Sequence, residues 1–81
     1  SLVIENTDIK LLQVGARKAH NGVVTIKSGT VIDKLVIGMG DAVLNIEEGA
    51  IVKELDYNNK VASKLTLSIA EGTVLSEVNK N

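Results

Sequence analysis

Residues 46–55 read IEEGAIVKEL, and the phrase is written twice more, as IKSGTVIDKL at 26–35 and as IAEGTVLSEV at 69–78. Self-similarity at a fixed period outranks every other sequence signal, because it names the architecture before any single element is assigned. Aligned on the isoleucine before the turn, Ile4, Ile26, Ile46 and Ile69 form one column, at successive spacings of 22, 20 and 23 residues. Two residues earlier stand Leu2, Val24, Leu44 and Leu67. Five residues later come Ile9, Val31, Ile51 and Val74, and nine later Gln13, Leu35, Leu55 and Val78. Fifteen of these sixteen positions are apolar in a chain that is 44% hydrophobic, so the repeat is not an accident of composition.

The contents of the repeat decide between helix and strand. Val24-x-Ile26 and Leu65-x-Leu67-x-Ile69 step by two, the strand period. β-branched residues are abundant, which favours extended backbone. Gly29, Gly49 and Gly72 recur at one offset after the column isoleucine, as expected for a bend that needs positive φ. The first repeat has Asn6-Thr7 there, so Asn6 is expected in the left-handed region, or the first turn is looser. Units of about 20–23 residues with short strands, glycine bends and no helical pattern predict an all-β chain. The expected form is a short right-handed parallel β-helix (β-solenoid) of three to four coils. The coils fall at approximately 2–21, 22–41, 42–63 and 64–81, in a single domain. A leucine-rich repeat shares the period but not the signature. The structural alternative is a β-sandwich or small barrel, in which GVVTI, KLVIG, AVLNI and KLTLSI pair as antiparallel hairpins.

Outward positions fit stacking. Superposed coils set Glu5 beneath Lys27 and Lys27 beneath Glu47, Asp33 beside Lys53, and Lys34 beside Glu54. Opposite charges across neighbouring strands add a few tenths of a kcal/mol each. Glu54 beside Glu77 runs the wrong way. Length varies only between coils, in GARKAHNG, GMGDA and NNKVASK.

Eighty-one residues lie near the lower limit for one self-sufficient core. The chain has no cysteine, no Phe or Trp and one Tyr, so no disulfide assists it and Val, Ile, Leu and Ala must form the core. Nine basic and ten acidic residues leave a net charge of −1, which gives no electrostatic case for nucleic acid or an anionic membrane. No apolar run approaches a bilayer span, so membrane insertion is not expected. Ser1 opens directly on patterned text, without an initiating Met or signal peptide. The expectation is a segment of a longer protein.

The run SGTVIDKLVIGMGDAVLNIEEGAIVKEL, continued by LTLSIAEGTVLSEV, resembles the β-solenoid repeats of bacterial cell-surface proteins and of phage tail and fibre proteins. Those repeats commonly run I-x-x-G-[AT]-x-[VI]-x-x-L. The likeness covers residues 23–78 well and 2–14 loosely. It implies a stalk, spacer or adhesive module outside the cytoplasm, at the cell surface or in a virion. It also implies self-association, with a homotrimer as one form, or neighbouring coils of a longer chain. It carries no catalytic residues, because the motif specifies a coil geometry and not a chemistry.

The expected function is therefore a non-enzymatic structural or interaction module, with carbohydrate as the binding class. The alternative is a fragment of a carbohydrate-active β-helix enzyme, a polysaccharide lyase or depolymerase. That reading needs clustered carboxylates with basic partners, and Asp33, Glu54 and Glu77 with Lys34 and Lys53 are its candidates. A solvated charged face is the simpler account of them. Binding is expected on the variable connections at residues 15–22, 38–42 and 57–64, through Arg17, His20, Tyr57 and Asn58. Asn amides suit sugar hydroxyls and Tyr57 offers the one stacking ring, although a lone ring more often packs at a corner. One histidine without cysteine does not make a zinc site, and Gly38–Gly40 lacks the spacing of a phosphate loop. No metal or other cofactor is expected.

Overall fold

The computed structural model describes residues 2–14, 22–37, 42–57 and 66–78. These form nine strands and no helix: β1 (Leu2–Ile4), β2 (Asp8–Val14), β3 (Gly22–Ile26), β4 (Val31–Ile37), β5 (Ala42–Ile46), β6 (Ile51–Val52), β7 (Leu55–Tyr57), β8 (Thr66–Ile69) and β9 (Glu77–Val78). The strands build two sheets, one ordered β1-β3-β5-β8 and the other β2-β4-β7-β9, with β6 also paired to β4. Every ladder is parallel. In particular, β3 pairs in parallel with β5, so those two strands do not form the hairpin of the sandwich alternative. Parallel neighbours require a long crossover. Here each crossover contains a strand of the opposite sheet, and the chain alternates between the two sheets from end to end.

In the first sheet the sequence columns are the observed ones. Leu2, Val24, Leu44 and Leu67 lie in register, as do Ile4, Ile26, Ile46 and Ile69. The second sheet departs from the columns by one residue, in opposite ways in the inner and outer repeats. Ile9 pairs with Ile32, Ile32 with Val52 and Val52 with Val74. Val31 and Ile51 pair with each other, Val31 also pairs with Asp8, and neither is buried. Likewise Leu12, Leu35, Leu55 and Glu77 form one line, and Gln13, Val36, Asp56 and Val78 the next. The polar exception Gln13 is thus not an interior residue; Leu12 takes its place. Since strand side chains alternate faces, a slip of one residue exchanges inside for outside.

The slip originates at the bends. From Ile26 to Ile32 and from Ile46 to Val52 the chain advances six residues, but from Ile4 to Ile9 and from Ile69 to Val74 only five. The first bend is shortened at the turn itself, where Asn6 alone takes the left-handed conformation (φ 50°) in place of a glycine. Asn is among the few residues that tolerate it. The later bends use Gly29, Gly49 and Gly72 at φ 82°, 91° and 80°. A β-carbon on Gly29 would collide with the Asn6 side chain, and one on Gly49 would lie 2.7 Å from Ser28 Cβ. Gly29 and Gly49 therefore serve both the turn and the close approach of one bend to the next, whereas Gly72 serves the turn alone.

One aliphatic core joins both sheets. It contains Val24, Ile26, Leu44 and Ile46 from the first sheet, Val14, Ile32, Leu35, Ile37, Val52 and Leu55 from the second, and Ala50 from a bend. Burial of each such side chain contributes roughly 1.5–3 kcal/mol. Among the described residues, Thr30 and Thr73 are the buried polar side chains. Thr30 Oγ1 donates to the Ile4 carbonyl at 3.4 Å and Thr73 Oγ1 to that of Ala70 at 2.6 Å. Alternation breaks once per inner repeat. Between buried Ile32 and Leu35, and between buried Val52 and Leu55, two consecutive residues turn outward, Asp33-Lys34 and Lys53-Glu54. That doubled outward step makes a corner, and charge gathers on it.

Candidate functional site

The corner pairs define the main polar surface among the described residues. Stacking sets Lys53 over Asp33 with Nζ 3.2 Å from Oδ1, and Lys34 beside Glu54 at 3.4 Å. Lys34 also approaches Asp56 Oδ2 at 3.8 Å. On the first sheet's side, Lys27 reaches Glu47 at 3.5 Å. The sequence columns anticipated the first two of these pairs and the last. They did not include Asp56, which stands in register with Val36 beside the correctly aligned pair of Leu35 and Leu55. The clash expected between Glu54 and Glu77 is absent: Glu77 stands in register with Leu55, and the Leu55 N–H donates to the Ser76 carbonyl at 2.8 Å.

A shallow open depression of about 340 Å³ lies beside this corner, lined by Asp8, Ile9, Lys10, Val31, Asp33 and Lys53. Its rim carries two carboxylates and two ammonium groups over an aliphatic floor. Asp33 is engaged by Lys53, so this carboxylate is neutralised on the exposed surface. Asp8 and Lys10 were not singled out from sequence. Both lie on the outer side of β2, whose register with β4 brings them to the same corner. Among the described residues, no group of three His, Cys, Asp or Glu side chains is placed to hold a metal ion.

Of the four residues expected to bind, Arg17, His20 and Asn58 lie outside the described residues. Tyr57 ends β7, opposite Ile37, and its half-buried ring packs against the core. Its hydroxyl donates to Glu77 Oε1 at 3.5 Å. The ring thus closes the end of the core, and the phenol ties β7 to β9. A sugar-stacking platform needs an open ring face, which this packing reduces.

The first sheet presents a different surface. Val3, Thr25, Asn45 and Ser68 stand in register on its outer side, and Asn45 Nδ2 donates to Thr25 Oγ1 at 3.5 Å. Beyond Val3 this is a short ladder of hydroxyl and amide side chains, all small and uncharged. Comparison with protein-family models, with curated proteins and with solved structures finds no match to this chain.

Proposed function

We propose that this chain is a short right-handed parallel β-solenoid serving as a non-enzymatic structural or interaction module. In this reading it is a stalk, spacer or adhesive segment of a bacterial surface or phage virion assembly. The observation that carries the proposal is the alternation of the chain between two parallel sheets, with like residues stacked in register. A chain that winds in this way spends its repeated side chains on cohesion along one axis, which is what a spacer requires. The right-handed sense follows the strong preference of parallel crossovers. Ion pairing of Asp33 and Glu54 with lysines weighs against the depolymerase reading. Carbohydrate is the proposed ligand class, bound by the connections at 15–22, 38–42 and 57–64. Homotypic association or neighbouring coils would cover the ends.

Cross-strand NOEs of the parallel type linking Thr25 to Asn45 and Asn45 to Ser68, in a crystal or solution structure of defined hand, are the expected result for the coil. Antiparallel pairs there would overturn it. Incubation with a panel of polysaccharides is expected to release no product; release from any of them sinks the non-enzymatic reading. Glycan binding that survives both Tyr57→Ala and His20→Ala would remove the proposed binding residues and leave a pure spacer.

A further inference from the structure

The charged side chains described on the second sheet are engaged, with two exceptions. Lys53 holds Asp33, Lys34 holds Glu54 and approaches Asp56, and Glu77 accepts from Tyr57. Asp8 and Lys10 have no ion pair and no side-chain hydrogen bond among the described residues. Both line the depression beside the charged corner. They stand two residues apart on β2, so they leave the strand on one side with their backbones about 6.6 Å apart. Ile9, between them, packs against the core. Together with half-buried Val31 it forms the apolar floor.

We propose that this depression binds an ω-amino carboxylate, an aliphatic chain with an ammonium group at one end and a carboxylate at the other. A free ω-amino acid and the C-terminal lysine of a peptide both carry this chemistry. The proposal rests on the register of β2 on β4 and is independent of the carbohydrate reading. Charge complementarity selects the class. Asp8 receives the ammonium group and Lys10 the carboxylate, whereas a singly charged ligand leaves one of them unanswered.

The register keeps both groups available. Lys10 falls opposite Asp33, between the pairs of Ile9 with Ile32 and of Leu11 with Lys34. Asp33 is the natural partner for Lys10, but Lys53 Nζ already lies 3.2 Å from its Oδ1. That pair neutralises Asp33 from the far side and leaves the Lys10 ammonium to the ligand. Length and floor complete the fit. The methylenes between the α-carboxylate and the ε-ammonium of a lysine bridge the span from Lys10 to Asp8 and lie on Ile9 and Val31. The two charges on a single α-carbon stand too close together to do so. The depression, about 340 Å³, is at the small end of ligand sites. It is also open, so its ion pairs stay solvated and binding is weak.

Titration of the isotope-labelled whole chain with 6-aminohexanoate and with N-acetyl-Gly-Lys, followed by amide chemical shifts, tests this. Saturable shifts centred on Asp8, Ile9, Lys10 and Val31 are expected, with a Kd of about 1–10 mM that rises with salt. The tighter of the two ligands identifies the source. Hexanoate and hexylamine each lack one charge and should bind about two- to fivefold more weakly than 6-aminohexanoate. Asp8→Asn and Lys10→Met should each reproduce such a loss, while Lys27→Met, on the first sheet's side, should cause none. Singly charged analogues that bind as well as 6-aminohexanoate would overturn the proposal. So would shifts spread over the surface, or a loss in Lys27→Met equal to that in Lys10→Met. The analogues probe the unaltered chain, so a variant that fails to fold does not shelter the proposal. The spacer reading is judged separately, by the parallel NOEs from Thr25 to Asn45.

Discussion

Ile46 and Ile69 occupy one column, pair directly across adjacent strands and sit in the same phrase, yet Ile46 is 2% exposed and Ile69 36%. Leu44 and Leu2 differ in the same sense: the first belongs to the buried core, the second is exposed. The inner repeats have a strand on either side in both sheets, whereas the outer repeats have one on a single side. A ladder residue is thus not stabilising by virtue of its identity. Its contribution depends on how many of its neighbouring strands are present in the sheet.

That comparison is most easily broken with a charge. Ile46→Asp is expected to abolish cooperative folding, because an unpaired carboxylate inside an aliphatic stack costs more than a domain of this size can offset. Ile69→Asp should leave a folded chain whose thermal transition is lowered by only a few degrees. Circular dichroism on both decides the matter, and equal effects would show that the stack does not end at β8.

Truncation sharpens the same contrast. Leu44→Ala is expected to cost about 2–5 kcal/mol, the range for emptying a closed core position. Leu2→Ala, at an exposed edge, should fall within about 1 kcal/mol. Urea unfolding measures both; a Leu2→Ala loss comparable with that of Leu44→Ala would mean that the first end is covered in solution.

The bends supply a third pair. Gly49→Ala imposes a left-handed conformation on a β-carbon that also meets Ser28 at 2.7 Å, and is expected to cost about 2–3 kcal/mol. Gly72→Ala meets nothing within 4 Å and keeps only the conformational penalty, about 1 kcal/mol. Gly72→Asn should recover part of this, since Asn6 already holds that conformation in the first bend. Chemical denaturation of the three variants ranks them, and a reversed order would refute close stacking of the second bend on the third.

The smallest effect belongs to the charged corner. Lys53→Met removes the 3.2 Å pair with Asp33, both partners being about half exposed. A loss of about 0.2–1 kcal/mol, shrinking as salt is added, is expected. A loss several times larger, indifferent to salt, would show that the corner is desolvated and belongs to an interface.

Much of the fold was legible in the chain. The columns headed by Leu2 and Ile4 were read correctly because strand alternation and a constant offset from the bend determine them locally. The positive φ of Asn6 was legible for the same reason, since few residues can replace glycine there. The second sheet was misread by one residue because its phase depends on how many residues each bend consumes. IEEGAIVKEL and IAEGTVLSEV are near copies in letters. Even so, Val52 turns inward in the first, whereas Val74 does so in the second and leaves Leu75 outside. On the surface, the pairs of Lys53 with Asp33 and of Lys34 with Glu54 were foreseen, the approach of Lys34 to Asp56 was not, and the depression at Asp8 and Lys10 emerged only with the true register of β2 on β4.

By itself, then, the sequence determined an all-β chain of four phrases, the bends that separate them and the aliphatic residues available for a core. Period and residue type act over a few residues, and no distant contact is needed to express them. Tertiary structure alone decided the phase of the second sheet, the approach of Lys34 to Asp56 and the pairing of the Tyr57 hydroxyl with Glu77. Each depends on where a neighbouring repeat some 20 residues away comes to rest, and one residue more or less in a bend is enough to exchange inside for outside.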